Sequence, residues 1–126
     1  MKQLLDTHSF LWFIAGNPKI SSELRLKIED NHNLLSIASI WEIAIKSSIG
    51  KLNVGMSIPD LVKEQVVNNG IELLDITVKH LAVVADLSLH HRDPFDRLII
   101  AQAIVEKIPI VGIDSVFDSY PIQRIW

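Results

Sequence analysis

Residues 91–114 read HRDPFDRLIIAQAIVEKIPIVGID, and this stretch decides the fold because it joins a buried helix to a buried strand. Asp93 followed by proline is typical of a helix start, with the aspartate as N-cap and the proline at the first helical position. The apolar run that follows predicts a helix to about Lys107. The segment IPIVGI (108–113) then predicts a strand that is apolar throughout and ends at Asp114.

The rest of the chain repeats this alternation of helices and apolar strands. Further strands are predicted at 2–5, 33–36, 71–76 and, at the edge of the sheet, 121–125. Further helices are predicted at 7–15, 23–31, 37–49, 57–69 and 77–87. Strands that are apolar throughout are typical of a parallel sheet covered by helices on both faces. The sequence therefore predicts an α/β protein, an α/β/α sandwich around a central, mostly parallel sheet.

Length and composition restrict the class of protein. The 126 residues, 48% of them hydrophobic, are the size of one domain, so we expect a single domain over residues 1–126. The absence of cysteine excludes a disulfide framework and a cysteine-based zinc site or nucleophile. No apolar stretch is long enough for a membrane span, and Asp6 interrupts the stretch that a signal peptide would need, so we expect a cytoplasmic protein with no membrane partner.

The net charge of −3 argues against a large nonspecific nucleic-acid surface. It does not argue against a nuclease, because carboxylates that hold divalent cations lower the formal charge and the bound metal restores positive charge locally.

Four carboxylates are expected near one edge of this sheet. Asp6 and Asp114 follow the carboxyl ends of two apolar strands, which is where α/β proteins bind ligands. Glu42 and Asp96 lie on helices, in rows that are otherwise apolar. Converging carboxylates repel each other unless a counter-charge is present, and oxygen-rich sites suit hard cations such as Mg²⁺, with Mn²⁺ as a substitute.

Each of these carboxylates also has a purely structural explanation. Aspartate is common in turns and helix caps whatever its function. Ile45 and Ile49 share the helical row of Glu42, so this carboxylate would be costly to bury alone. An ion pair with Lys46 or Arg97 would offset that cost without any metal.

Four segments carry a more specific signal: LLDTHSFLW (4–12), SIWEIAIK (39–46), HRDPFDRLIIAQA (91–103) and IVGIDSVFDSY (110–120). Their order and spacing resemble those of PIN domains, specifically the VapC-type toxins of bacterial toxin–antitoxin pairs, over essentially the whole chain. The resemblance implies a PIN-like fold and an Mg²⁺-dependent endoribonuclease that cleaves RNA phosphodiester bonds. It also implies a homodimer and a cognate antitoxin that covers the site.

The resemblance assigns catalytic and metal-binding roles by position to Asp6, Glu42, Asp96 and Asp114. It makes Asp6 and Asp96 direct ligands of the metal. Glu42 is expected to complete the coordination or to orient the attacking water, and Asp114 to bind a second ion or a metal-bound water. No serine, cysteine or histidine nucleophile is needed, because a metal-activated water attacks the phosphate.

Three further residues are candidates for supporting the site or contacting the substrate. Asp93 matches an aspartate that is frequent in the family, and Arg97 is placed to guide an RNA phosphate. Many family members carry threonine or serine at the position that is Gly112 here, so Ser115 is the candidate to supply the missing hydroxyl.

Other side chains are assigned ordinary roles. His90 and His91 lie just before the Asp93 turn, from where they could reach substrate or metal, but they are expected to be solvated, since imidazole suits softer metals than an oxygen-rich site does. Trp41 is expected in the core or in an interface. Exposed apolar groups of the helices at 7–15 and 21–31 are the candidates for contact with the antitoxin that the resemblance implies.

Other classes of protein fit the residues less well. A haloacid-dehalogenase-like phosphatase would use Asp6 as nucleophile but needs a second aspartate where the chain has His8. A receiver domain would end a late strand with lysine, where this chain has Ile113 and Asp114. The main alternative is a non-catalytic PIN-like module that binds RNA or protein, although degenerate copies of this kind usually lose one of the acids.

Overall fold

A five-stranded parallel sheet forms the centre of the protein. The computed structural model describes residues 1–126 and contains the strands β1 (Lys2–Leu5), β2 (His32–Ser36), β3 (Glu72–Leu74), β4 (Ile110–Val111) and β5 (Arg124–Ile125). Their order across the sheet is β3-β2-β1-β4-β5, and every neighbouring pair is parallel. The predicted α/β/α architecture is confirmed, and the sheet is parallel throughout rather than mostly.

The helices begin where capping residues predict. They are α1 (Thr7–Ala15), α2 (Ser22–Glu29), α3 (Ile37–Ser48), α4 (Ile58–Leu61), α5 (Val78–Asp86) and α6 (Pro94–Glu106). The side chains of Asp6, Ser21, Ser36, Ser57, Thr77 and Asp93 each accept a backbone N–H of the first turn. No helix has the length and apolar character needed to cross a membrane.

Helical and strand boundaries differ from the predictions mainly in the last third of the chain. The predicted strands 108–113 and 121–125 shrink to the two-residue β4 and β5, and a 3₁₀ helix (Ser115–Ser119), which was not predicted, follows β4. Pro109 and Pro121 lack the N–H that a longer ladder would need. The predicted helix 57–69 is α4 continued by a π-helical segment (Val62–Val67).

Alternating strand residues divide the core between the two faces of the sheet. Leu5 and Leu35 belong to one apolar cluster, with buried residues of α1 to α4. Leu4 and Leu34 belong to the other, with buried residues of α6 and the 3₁₀ helix. Because successive side chains of a strand point to opposite faces, the sheet lies between two apolar layers. This double burial explains why the strands are apolar throughout.

Candidate metal centre

The carboxyl ends of β1 and β4 lie side by side, and the candidate site is built at this edge. Asp6 directly follows β1, and its backbone N–H donates to the carbonyl oxygen of Val111 at 3.1 Å. Its carboxylate caps α1, with Oδ1 accepting the N–H of Ser9 at 2.8 Å. Asp6 is 4% exposed, and this burial raises its pKa, an effect that the hydrogen bonds from Ser9 partly oppose.

Gly112 approaches Asp6 so closely that no side chain fits there without a shift. A Cβ on Gly112 would lie 2.8 Å from Asp6 Oδ2 and 2.9 Å from Cε2 of the buried Phe117. The family's threonine or serine is therefore excluded at this position by the present packing. Ser115, the expected substitute, is exposed at the first position of the 3₁₀ helix.

Glu42 lies on α3 with both carboxylate oxygens already engaged. Oε1 accepts the hydroxyl of Thr7 at 2.8 Å, and Oε2 accepts the ammonium of Lys46 at 2.5 Å. The Glu42 side chain is 5% exposed, and its hydrogen bond to Lys46 raises the pKa of the lysine. The ion pair with Lys46 that the sequence allowed is therefore formed, and the one with Arg97 is not.

The apolar row around Glu42 is not a buried stripe, which corrects the sequence analysis. Ile45 and Ile49 are 37% and 59% exposed, and Trp41, expected in the core or an interface, is 56% exposed with its ring edge-on to Phe95 at 5.1 Å. The carboxylate of Glu42 points inward, and these apolar groups project outward from the same helix.

Asp96 occupies the first turn of α6 beside a second carboxylate. Its backbone N–H donates to Oδ1 of Asp93 at 2.9 Å, so Asp93 is the N-cap that the Asp-Pro pair predicted. Burial raises the pKa of Asp96 to about 6, and the negative charge of Asp93 contributes to the rise, as does that of Asp6. Asp96 thus lacks a full counter-charge.

His91 is a functional candidate that the sequence analysis ranked below a solvated side chain. Its side chain is only 16% exposed rather than solvated, and its Nε2 lies 2.7 Å from Asp96 Oδ2 and 3.8 Å from Asp114 Oδ2. The ligand atoms of His91, Asp96 and Asp114 all lie within 4.8 Å of one another. The histidine stands five residues before Asp96, and no sequence pattern indicates that the loop folds its ring back over that carboxylate.

The four predicted carboxylates are brought to one region but not into one tight cluster. Asp96 and Asp114 belong to the group with His91, whereas Asp6 and Glu42 do not. Asp6 is still close enough for its charge to act on Asp96 and to feel that of Glu42. Asp114 is the most exposed of them, with a side chain that is 49% exposed.

The side chain of Arg97 is hydrogen-bonded to the loop before α6. Its guanidinium donates to the carbonyl oxygens of Leu87, Ser88 and His91, each at 3.1 Å. These bonds use both terminal nitrogens, so Arg97 forms no ion pair with Asp96 or Glu42.

The donor set fits a divalent cation. Carboxylate oxygens suit Mg²⁺ and Mn²⁺, and an imidazole nearby is compatible with the softer of the two. Burial is the largest cause of the raised pKa of Asp96, and the negative charges of Asp93 and Asp6 add to it, so a positive charge here would favour the ionised form. A cation held by Asp96 and Asp114, with Asp6 adjacent, would supply the missing charge.

Comparisons with known proteins agree with this architecture. The PIN domain family model matches residues 4–122. A chain from the crystal structure of VapBC2 from Rickettsia felis bound to a promoter DNA fragment is 19% identical, with a TM-score of 0.71 over 99% of this chain and 98% of that one. A chain from DNA-bound VapBC of Salmonella typhimurium is 17% identical, with a TM-score of 0.73 over 99% and 97%.

A chain from a toxin–antitoxin complex of Klebsiella pneumoniae is 12% identical, with a TM-score of 0.65 over 98% of this chain and 96% of that one. At these identities the structures establish a shared fold. The search of curated proteins gave no match. Because the PIN domain model matches residues 4–122, nearly the whole chain, this protein belongs to the PIN domain family.

Proposed function

We propose that this protein is an Mg²⁺-dependent endoribonuclease of the VapC type, a toxin that a cognate antitoxin neutralises, with Mn²⁺ as a substitute metal. The observation that carries the proposal is the excess of negative charge where β1 and β4 end. Asp96 and Asp114 lie close together there, Asp6 is near enough for its charge to act on Asp96, and Asp96 has its pKa raised to about 6. An uncompensated carboxylate site of this kind favours a divalent cation, and a phosphodiester is the substrate that such a cation activates.

The residues would divide the work as follows. Asp96 and Asp114 hold the cation, and Asp6, buried and fixed by its cap to α1, supports it from the end of β1. When bound, the cation supplies charge neutralisation at the phosphate and a more acidic water. Glu42 is already held by Thr7 and Lys46, so its role is to keep Lys46 at the site.

Lys46 is the positively charged side chain best placed to bind a phosphate of the RNA backbone. Its side chain is 38% exposed, and the charges of Asp93 and Asp96 act on it, so it lies near the metal centre. It can turn one of its donors to a phosphate oxygen while keeping its bond to Glu42. Arg97, which was the sequence-based candidate for this task, is occupied by backbone carbonyls.

Two exposed apolar surfaces support protein partners. The outward side of α3 carries Trp41, Ile45 and Ile49, and we propose it as the contact of a homodimer. A groove of about 420 Å³ lies along α1, with Leu11 and Trp12 among its mostly apolar lining, and we propose that the antitoxin occupies it. The similarity in fold to a chain from the toxin–antitoxin complex of Klebsiella pneumoniae supports an antitoxin partner.

The second candidate function is a PIN-like module, a single domain over residues 1–126, that binds RNA or protein without cutting. The engagement of both Glu42 oxygens by Thr7 and Lys46 is the observation that favours it, because a fully paired carboxylate has less capacity to act on water. Cleavage that needs a metal separates the two functions. The setting we propose in either case is the cytoplasm.

The test is cleavage of a panel of structured RNAs, including tRNAs, by the antitoxin-free protein with Mg²⁺ and with chelator. Asp96→Asn is the matched isosteric variant, and Asp86→Asn, an exposed carboxylate at the end of α5, is the control. We expect cleavage that requires both Mg²⁺ and Asp96 and survives the control substitution. RNA binding without cleavage, by protein that also takes up Mn²⁺, would favour the non-catalytic module.

Cleavage that persists in chelator or in Asp96→Asn would point to a contaminating nuclease and refute the metal mechanism.

A further inference from the structure

The ring of His91 is held between two groups that settle where its proton lies. On one side the backbone N–H of Asp93 points to Nδ1, with 3.4 Å between the nitrogens, and a backbone N–H can only donate. On the other side Nε2 lies 2.7 Å from Asp96 Oδ2, and a carboxylate oxygen can only accept. Both contacts are satisfied together by the imidazole tautomer that carries its proton on Nε2.

This protonation pattern opposes a direct bond from His91 to a metal. Coordination through Nε2 would remove the proton that Asp96 accepts and would leave a proton on Nδ1 facing the N–H of Asp93. Coordination through Nδ1 would compete with that same N–H. Although the distances alone admit His91 as a ligand with Asp96 and Asp114, the hydrogen bonds make it a donor to a ligand instead.

The backbone that carries His91 is fixed from two directions. The hydroxyl of the buried Tyr120 accepts the N–H of His90 at 3.1 Å and that of His91 at 2.8 Å, and it donates to the carbonyl of Ser88 at 2.8 Å. Arg97 donates to the carbonyl oxygens of the same loop, including that of His91 at 3.1 Å. These side-chain hydrogen bonds hold the loop that carries His91 against the start of α6.

We propose that His91 is a positioning residue of the metal centre. Its Nε2–H holds Asp96 Oδ2 and leaves Oδ1 free to bind the divalent cation. Tyr120 and Arg97 fix the loop so that this donor is in place before the cation arrives. A hydrogen bond to a carboxylate that binds a metal fixes the orientation of the carboxylate. Hydrogen bonds to the second ring nitrogen of a metal-binding histidine orient its ring in the same way. The inference rests on the proposed function only in requiring that a cation binds at Asp96.

The first measurement is Mn²⁺ binding by calorimetry to wild type, His91→Phe and His91→Gln. Phenylalanine keeps a ring against Phe117, whose centroid is 6.1 Å from that of His91, but has no donor. Glutamine places an amide N–H close to the position of Nε2. We expect His91→Phe to bind Mn²⁺ about 10- to 100-fold more weakly, the range found when partners of metal ligands are removed. His91→Gln should stay within about threefold of wild type, because a neutral N–H donor is retained.

The second measurement separates this proposal from the nuclease proposal. Nitrogen NMR of the metal-free protein, with folding of each variant checked on the same spectra, reports which imidazole nitrogen of His91 carries the proton. A proton on Nε2 supports the inference even for protein that cleaves no RNA, whereas a proton on Nδ1 overturns it. Failure of the nuclease proposal would instead appear as metal binding without cleavage.

A third measurement addresses direct coordination. In Mn²⁺-loaded protein, pulsed electron paramagnetic resonance detects coupling between Mn²⁺ and the nitrogen of a bound imidazole. We expect no coupling from His91, so the spectrum of His91→Gln should lack no nitrogen signal that wild type shows. The proposal would be overturned if wild type showed this coupling and both variants bound Mn²⁺ more weakly to the same extent, because His91 would then be a ligand. Equal or tighter Mn²⁺ binding by His91→Phe would also overturn it, because the donor would then contribute nothing or would compete with the cation.

Discussion

Asp96→Asn should stabilise the metal-free protein at neutral pH, although it removes a residue of the proposed metal centre. Burial, and then the charge of Asp93, raises the pKa of Asp96 from 3.8 to about 6. A carboxyl whose folded-state pKa lies above its unfolded value destabilises the fold when it is ionised. Asparagine keeps the shape and can still accept the hydrogen bond from His91, but it carries no charge to bury.

The size of the effect follows from the two pKa values. Between pH 3.8 and about 6 the folded protein binds a proton that the unfolded chain has released, so stability falls as the pH rises and the penalty is complete above about pH 6. At roughly 1.4 kcal/mol per pKa unit, the penalty is about 3 kcal/mol. This figure already includes the interaction of the ionised carboxylate with the dipole of α6, because the folded-state pKa contains every interaction of the charged form.

The assay is thermal unfolding of both proteins with chelator from pH 4 to pH 8. Unfolding entropy is about 2.1 cal/mol/K per residue, which for 126 residues makes 3 kcal/mol worth roughly 11 °C in Tm. We expect Asp96→Asn to melt about 11 °C higher than wild type at pH 7.5 and the difference to disappear by about pH 4. Excess Mn²⁺ should then raise the Tm of wild type and not that of the variant.

The control is Asp86→Asn, whose carboxylate is exposed at the end of α5 and should give a curve parallel to wild type. The reasoning would be refuted if Asp96→Asn were less stable than wild type at pH 7.5 in chelator. It would equally be refuted if the difference between the two proteins were constant from pH 4 to pH 8, because the effect would then not arise from the charge.

Three further substitutions test the packing around the site. Gly112→Thr places a Cβ 2.8 Å from Asp6 Oδ2 and should destabilise the protein by about 1–3 kcal/mol in urea unfolding, together with weaker Mn²⁺ binding; unchanged stability would mean that the strand and Asp6 move apart easily. Ile99→Ala, at a fully buried position of α6, should cost about 2–5 kcal/mol in the same experiment, and a loss under 1 kcal/mol would contradict the described core. Thr7→Val removes the hydroxyl that donates to Glu42 Oε1 and should cost about 1–3 kcal/mol, whereas a neutral result would mean that water replaces the threonine.

Local signals in the sequence were reliable where the interaction that shapes the backbone lies within a few residues. Asp93 accepts the N–H of Asp96, and Asp6 that of Ser9, so both caps depend on atoms three positions along the chain. The apolar strands 2–5 and 33–36 follow from the same kind of local pattern. The length of β4 was overestimated because a strand also needs a hydrogen-bonded neighbouring strand. Other segments of the chain determine how far that neighbour extends.

The site depended on contacts between distant parts of the chain. Thr7 and Glu42 are 35 residues apart, and Tyr120 holds a loop about 30 residues before it. The exposure of Ile45 and Ile49 likewise depends on which face of α3 packs against the rest of the molecule. The sequence pattern of an apolar helical row does not show whether that face is buried or exposed.

The sequence by itself determined the parallel α/β/α architecture and the elements on which the four carboxylates lie, because capping and apolar periodicity act over a few residues. Only the tertiary structure decided that Glu42 is paired with Lys46, that Gly112 has no room for a side chain beside Asp6, and that His91 donates to Asp96. Those outcomes depend on distances of a few ångströms between segments far apart in the chain, and such distances are set when the two apolar layers pack against the sheet.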